Sequence, residues 1–170
     1  MKTKTTPPTE EDTMPLNRHN RSVVTLFLVE DDDVDAESIQ RSFEKERIAN
    51  PIVRANDGME ALEMLRQGQV PSPFVILLDL QMPRMNGIEF LEAIREDPVL
   101  DCAVIFVLTT STAERDITAS YDHNIAGYFI KDEAAIGFRD VVRLLDGYWN
   151  IAELPAIDVA AAKSRSDDNQ

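Results

Sequence analysis

The sequence has little cysteine, comparatively little positive charge and no long hydrophobic run. Cys102 is the single cysteine among 170 residues, which excludes an intramolecular disulfide and fits a reducing compartment. No apolar run approaches the roughly 20 residues that a membrane-spanning helix needs, and residues 1–21 lack the apolar centre of a secretory signal peptide. We therefore expect a cytoplasmic protein.

Basic residues are outnumbered by acidic ones. The chain has 31 acidic and 17 basic side chains, a formal net charge of -14 and a pI near 4.4. Such a surface is repelled by phosphates, so we do not expect nucleic-acid binding. The two histidines, His19 and His123, lack the paired spacing of a zinc site, and we expect neither to be functional.

The middle of the chain predicts one folded domain between two tails. Residues 1–21 contain too few apolar side chains to fold and predict a flexible N-terminal tail. Residues 153–170 are alanine-rich and then polar, which predicts a frayed or disordered C-terminal tail. In residues 22–152, apolar runs of strand length alternate with segments of helical period, the pattern of a doubly wound α/β domain with a parallel sheet. The predicted strands are Val23–Val29, Pro51–Ala55, Phe74–Leu78, Ala103–Leu108 and Gly127–Ile130.

Between the strands, helix signals are recognisable. Asp57-Gly58 and Asn86-Gly87 predict the starts of the second and third helices, and Asp35 is a plausible N-cap of the first. The last helix has a core-facing apolar stripe with further apolar residues off it, which often indicates packing on a second molecule. We therefore expect a homodimer or partner face, with the alternative that Trp149 covers the sheet edge. The face comprises Leu144, Tyr148, Trp149 and Ile151.

Polar residues follow four of the predicted strands. Glu30 and Asp31 come after the first strand, Asp79 after the third, Thr109 after the fourth and Lys131 after the fifth. The carboxyl ends of parallel strands meet at one edge of a sheet, where open α/β folds build their sites. Three converging carboxylates repel one another unless a cation joins them, and oxygen ligands suit Mg²⁺. With a lysine and a hydroxyl nearby, this pattern predicts a phosphoryl site.

Four motifs, taken together, resemble the receiver domain of the bacterial two-component response regulators. They are Leu28-Val29-Glu30-Asp31, Asp79-Leu80-Gln81-Met82-Pro83-Arg84-Met85-Asn86-Gly87, Val107-Leu108-Thr109-Thr110-Ser111 and Gly127-Tyr128-Phe129-Ile130-Lys131. The resemblance covers residues 23–149 and implies a flavodoxin-like fold, with five parallel strands in the order 2-1-3-4-5 flanked by five helices. The Leu-Thr-Thr-Ser stretch and the terminal Tyr-Trp resemble single-domain regulators that pair with phytochrome-type histidine kinases.

The resemblance also implies roles for individual residues. Asp79 would be the phosphoacceptor, served by a histidine kinase. Lys131 and Thr109 would bind phosphoryl oxygens, and Thr109 with Tyr128 would switch the face of the fourth helix, fifth strand and fifth helix. The ligands of Mg²⁺ would be Asp31, Asp79, the backbone carbonyl of Gln81 and, through water, Glu30.

Residues at two further positions bear on the lifetime of the phosphoryl group. The resemblance places Gln81 and Ser111 beside that group, and neither offers a carboxylate to orient an attacking water. We therefore expect a moderately long-lived phosphoryl state in a protein that is not a dedicated enzyme.

One departure from the family pattern keeps alternatives open. Lys131 is followed by Asp132, where most of the family has a proline in a cis peptide. A cis bond to a non-proline residue costs about 2.5–4 kcal/mol, so the loop is either strained or trans, and we expect weaker phosphorylation. The leading hypothesis is a phosphoacceptor that signals through a kinase and a downstream phosphotransfer or target protein, without an output domain.

Two other functions are alternatives to this one. The first is a receiver-like adaptor that is independent of phosphorylation and forms a constitutive dimer, which Asp132 favours. The second is an aspartyl-phosphate hydrolase, which usually has an Asp-x-Asp motif. Gln81 stands where the second carboxylate of that motif would be, which disfavours the hydrolase.

Overall fold

The computed structural model describes residues 23–131 and 138–161, in which strands and helices alternate. The strands are β1 (Thr25–Val29), β2 (Ile52–Ala55), β3 (Phe74–Leu78), β4 (Val104–Thr109) and β5 (Gly127–Ile130). The helices are α1 (Asp33–Lys45), α2 (Gly58–Arg66), α3 (Gly87–Glu96), α4 (Glu114–Asp122) and α5 (Arg139–Ile151). The predicted strands are found within two residues of their predicted ends.

The five strands form one parallel sheet in the order β2-β1-β3-β4-β5, which confirms the predicted topology. In β1, Leu28 lies opposite Arg54 of β2 and Leu77 of β3. Alternate residues of the sheet enter two apolar layers. One layer packs under α2 and α3, and the other under α1 and α5. Burial on both faces explains why the central strands are continuous apolar runs.

Side-chain caps fix the starts of three helices beside the carboxyl edge of the sheet. The Asp57 side chain caps α2, and Asn86 forms a capping box with Glu89 at α3, as Asp57-Gly58 and Asn86-Gly87 predicted. The N-cap of α1 is Asp32, which corrects the expectation of Asp35. Asp32 has the extended backbone of a cap, and its Oδ1 accepts from the N–H of Asp35 at 3.0 Å. Asp35 lies within the first turn instead.

Part of the predicted partner face belongs to the core. Trp149 is 5% exposed and packs on Phe43 of α1, with the ring centroids 6.1 Å apart. This burial contradicts the inclusion of Trp149 in the partner face and fits the alternative in which it packs on the domain itself, because α5 turns this residue toward α1. Tyr148 is half-buried and packs edge-on against Phe106. Leu144 and Ile151 are exposed, at 44% and 81%.

Residues 153–161 differ from the expected frayed tail. Ile157 is buried at 8% exposure, and its N–H donates to the Ser72 hydroxyl at 3.0 Å. Leu154 and Val159 pack against the two apolar layers. Sequence analysis did not predict the packing of Leu154, Ile157 and Val159, because the segment is rich in alanine and has no clear apolar pattern. The predicted tail of residues 1–21 and the end of the chain, 162–170, lie outside the described residues.

Among the described residues, no helix combines the length and the apolar character that crossing a membrane requires.

Candidate functional site

The predicted site residues meet at the carboxyl edge of the sheet. Glu30 follows β1, Asp79 follows β3, Thr109 ends β4 and Lys131 follows β5. Backbone hydrogen bonds continue the strand ladders past the strand ends. The N–H of Asp79 donates to Val29 O at 3.0 Å, and that of Lys131 donates to Thr109 O at 2.8 Å. The sheet itself therefore fixes the positions from which these side chains project.

Lys131 is the centre of the charged cluster. Its Nζ lies 2.7 Å from Glu30 Oε2, 2.8 Å from Asp35 Oδ2 and 3.1 Å from Asp79 Oδ2. The lysine side chain is only 8% exposed. Sequence analysis predicted that Lys131, Glu30 and Asp79 meet at one site, but it predicted none of these ion pairs and gave Asp35 only a capping role. The available signal was its position in the first turn of a helix that starts beside Asp31, where side chains point back toward the helix N-terminus.

Burial and charge shift the pKa values of two groups in this cluster. Burial raises the pKa of Glu30 to about 7, although the hydrogen bond and charge of Lys131 act in the opposite direction. Burial alone would lower the pKa of Lys131, but its contacts with Asp35 and Glu30 and the charge of Asp79 raise it above its ordinary value. The lysine therefore stays protonated, while Glu30 titrates near neutrality.

Three carboxylates have the arrangement that a divalent cation needs. Glu30, Asp31 and Asp79 each place an oxygen within 4.8 Å of the others. Glu30 and Asp79 are buried, whereas Asp31 is exposed, so the cluster opens to solvent on one side. Hard oxygen donors with room for water fit Mg²⁺ or Mn²⁺. The fourth predicted ligand, Gln81, lies in the same loop, and its N–H donates to Asp79 Oδ1 at 3.2 Å.

Arg54 holds the loop that carries the acidic pair. From β2, its guanidinium donates to Glu30 O at 2.9 Å, to Asp31 O at 3.2 Å and to the Asp33 carboxylate at 2.7 Å. Sequence analysis missed this residue, since an arginine in a half-buried strand carries no motif. Its contacts restrain the backbone from which the Glu30 and Asp31 side chains project.

The β4 side of the site is a chain of hydrogen bonds. Thr109 is fully buried, and its Oγ1 accepts from the N–H of Ser111 at 3.3 Å. The carbonyl of Ser111 accepts from the Tyr128 hydroxyl at 3.0 Å. Thr109 and Tyr128, the predicted switch residues, are therefore connected through one residue of the β4–α4 loop.

The two residues predicted to tune dephosphorylation are both engaged by neighbours. The Ser111 hydroxyl donates to Asp116 Oδ2 of α4 at 2.5 Å. The Gln81 side-chain carbonyl accepts from the Thr110 hydroxyl at 3.0 Å. Asp132, on which the expected weakening of phosphorylation depends, lies outside the described residues.

Comparisons with known proteins agree with this geometry. A family model described as the response regulator receiver domain matches residues 26–143. The response regulator Rcp1 of Synechocystis sp. is 32% identical over 136 residues, which cover 77% of this chain and 92% of Rcp1.

Solved structures give the same result. The phosphorylated cyanobacterial phytochrome response regulator RcpA matches with 35% identity and a TM-score of 0.70, over 77% of this chain and 97% of RcpA. The Mn²⁺-bound form of Rcp1 matches with 31% identity and a TM-score of 0.70, over 78% and 99% of the respective chains.

Proposed function

Because the chain belongs to the response regulator receiver domain family, we propose that it accepts a phosphoryl group on Asp79 from the phosphohistidine of a histidine kinase. Proteins of this family are signalling proteins rather than dedicated enzymes. The observation that carries the proposal is the position of Asp79. Its buried carboxylate lies 3.1 Å from the Lys131 ammonium, within a cluster of three carboxylates that can bind a cation.

The transfer exchanges one bond to phosphorus for another. A carboxylate oxygen of Asp79 attacks the phosphorus, the bond from phosphorus to the histidine nitrogen breaks, and that nitrogen takes a proton from solvent. Lys131 and the Thr109 hydroxyl bind oxygens of the transferred group. Asp31, Asp79, the Gln81 carbonyl and, through water, Glu30 would hold a divalent cation. The cation would supply the charge neutralisation that lets an anionic nucleophile approach an anionic group.

Phosphorylation then acts as a switch. It adds about two negative charges and three acceptor oxygens beside Asp79, and these attract the buried Thr109 hydroxyl. Movement of Thr109 disturbs its hydrogen bond with the Ser111 N–H and, through the Ser111 carbonyl, the contact with Tyr128. We propose that the resulting change is read out on α4, β5 and α5.

The phosphoryl state should be moderately long-lived. Neither Gln81 nor Ser111 carries a carboxylate to orient an attacking water, and both side chains are already hydrogen-bonded to neighbours. Timing the decay of the phosphorylated protein, and of the Gln81→Asn variant, measures this lifetime directly.

The proposed upstream partner is a histidine kinase of the phytochrome type, acting in the cytoplasm. This proposal is supported by the similarity to Rcp1 and to RcpA, which is a cyanobacterial phytochrome response regulator. We also propose a homodimer through α5, where Leu144 and Ile151 expose apolar surface. Light scattering tests the dimer, and a monomer at high protein concentration would contradict it.

The phosphoacceptor is tested by incubating the protein with acetyl phosphate and Mg²⁺ and measuring its intact mass. We expect the mass of one added phosphoryl group, which is lost without Mg²⁺ and in Asp79→Asn. Asp122→Asn, an exposed carboxylate at the end of α4, is the matched control and should still be phosphorylated. Absence of the added mass from the wild type, with the kinase as donor as well, would contradict the proposal and favour the adaptor alternative.

A further inference from the structure

Lys131 contacts one carboxylate that the proposed phosphoryl chemistry leaves unassigned. Asp35 lies in the first turn of α1, outside the group of potential metal ligands, with its Oδ2 at 2.8 Å from Lys131 Nζ. We propose that Asp35 is a positioning residue that holds Lys131 in the unphosphorylated protein and competes with a phosphoryl group for it. This inference rests on the proposed function.

The hydrogen-bonding capacity of the lysine makes the competition unavoidable. An ammonium group has three N–H donors and no more. The contacts with Glu30, Asp35 and Asp79 at 2.7, 2.8 and 3.1 Å use all three. A phosphoryl oxygen can therefore bind Lys131 only when one of these carboxylates gives up its contact.

Differences in burial identify Asp35 as the carboxylate that is displaced. The side chains of Glu30 and Asp79 are 1% and 7% exposed, whereas that of Asp35 is 30% exposed. A carboxylate that loses its contact with the lysine needs water in its place. Water reaches a partly exposed carboxylate easily, so losing the contact costs a buried carboxylate more free energy. Asp79 also stays beside Lys131 after transfer, because it carries the phosphoryl group.

The helix start keeps Asp35 in position for this role. The carboxylate of the N-cap, Asp32, accepts from the N–H groups of Val34 and Asp35 at 2.8 and 3.0 Å. The backbone of residue 35 is thereby fixed, and its side chain stays within reach of Lys131. When the phosphoryl group leaves, the ion pair between Asp35 and the Lys131 ammonium forms again.

Fluoroberyllate, which mimics a phosphoryl group on an aspartate, tests the competition at equilibrium. Wild type, Asp35→Asn and Glu37→Gln are titrated with fluoroberyllate in saturating Mg²⁺, and binding is followed by fluorine NMR. We expect the half-saturating concentration to fall about two- to fivefold in Asp35→Asn, the size of effect typical of a partly exposed ion pair. Glu37, an exposed residue of the same helix that pairs with Arg41, controls for the loss of one negative charge.

A separate titration with Mg²⁺ distinguishes this effect from a change in metal binding. Removing a negative charge beside the carboxylates should leave the Mg²⁺ affinity unchanged or weaken it, so tighter fluoroberyllate binding cannot arise from the metal. Circular dichroism verifies folding, and Asp35→Ser replaces Asp35→Asn if that variant fails to fold.

The fluoroberyllate titrations show whether Asp35 competes with the phosphoryl group for Lys131. Tighter binding in the Asp35 variant alone supports the competition. Equal or weaker binding in that variant, or an equal gain in Glu37→Gln, overturns it while leaving the proposed function intact. If wild type binds no fluoroberyllate and gains no phosphoryl group, the proposed function fails and this inference fails with it.

Discussion

The two ends of the sheet hold partly buried cations in different ways. At the amino end, the guanidinium of Arg95 donates to the backbone carbonyls of Asp101, Ala103, His123 and Asn124, in the loops that enter β4 and β5. At the carboxyl end, Lys131 is surrounded by three carboxylates. Backbone carbonyls do not titrate, whereas carboxylates bind protons and, at Asp79, can accept a phosphoryl group. A cation held by carbonyls is structural, and one shared among carboxylates can change its contacts.

The amino end is also covered by the end of the described chain. Ile157 belongs to the apolar layer that packs under α2 and α3, and its N–H donates to the Ser72 hydroxyl just before β3. The carboxyl end has the exposed Asp31 beside its buried groups. The difference separates an end where a later segment of the chain packs on the domain from an end whose carboxylates can bind ligands.

Replacing Lys131 or Arg95 with alanine should have the largest effect on the free energy of unfolding and tests this comparison directly. Lys131→Ala leaves buried carboxylates without their partner, and we expect a loss of about 3 kcal/mol of unfolding free energy in the absence of metal. Mg²⁺ should restore much of that loss, because it replaces the missing positive charge. Urea unfolding with and without Mg²⁺ measures both quantities.

Arg95→Ala is the matched variant at the opposite end. We expect a similar loss of stability, about 3 kcal/mol, because several backbone carbonyls lose a charged donor. Mg²⁺ should not restore it. Equal recovery of both variants with Mg²⁺ would show that the two ends do not differ in the way described here.

A substitution in the segment that contains Ile157, at the amino end, should lower stability by a smaller amount. Ile157→Ala removes a buried side chain at the domain edge, and we expect a loss of about 2 kcal/mol in urea unfolding. The extent of phosphorylation by acetyl phosphate should be unchanged. Val23→Ala, at 67% exposure, is the control and should change stability by less than about 0.5 kcal/mol. Reduced phosphorylation of Ile157→Ala would mean that the two ends are coupled.

The sequence predicted most of the carboxyl end and little of the amino end. Strands buried on both faces appear as apolar runs, so the polar residue after each run marks the sheet edge. Glu30, Asp79, Thr109 and Lys131 were located in this way, and their motifs made the family recognisable. Helix starts were predicted as well, where Asp57 and Asn86 precede a glycine.

The residues that sequence analysis missed act through long-range contacts. Arg54 and Asp35 reach the site from β2 and α1. Arg54 has no local pattern that distinguishes it from a surface charge, and for Asp35 the only signal was its position in the first turn of α1. Ile157 lies in an alanine-rich stretch, and its backbone hydrogen-bonds to Ser72, 85 residues earlier. Trp149 was included in the partner face because helical period alone does not say which apolar residues of α5 meet α1.

The smallest expected effect is a pH dependence that only the carboxyl end should show. With the pKa of Glu30 raised to about 7 by burial, a proton competes with Mg²⁺ for the site. Lowering the pH below about 7 protonates Glu30, so the Mg²⁺ affinity should fall by up to about tenfold for each pH unit, or about 1.4 kcal/mol. Calorimetric Mg²⁺ titrations from about pH 5.5 to about pH 8, a range that brackets the raised pKa of a buried glutamate, measure this change in affinity. Glu30→Gln should make the affinity nearly independent of pH. The stability lost in Arg95→Ala should stay constant over the same range, since neither a guanidinium nor a carbonyl titrates there. A Mg²⁺ affinity that does not vary with pH in wild type would mean that Glu30 is already ionised when the metal arrives, and the raised pKa would then have no part in metal binding.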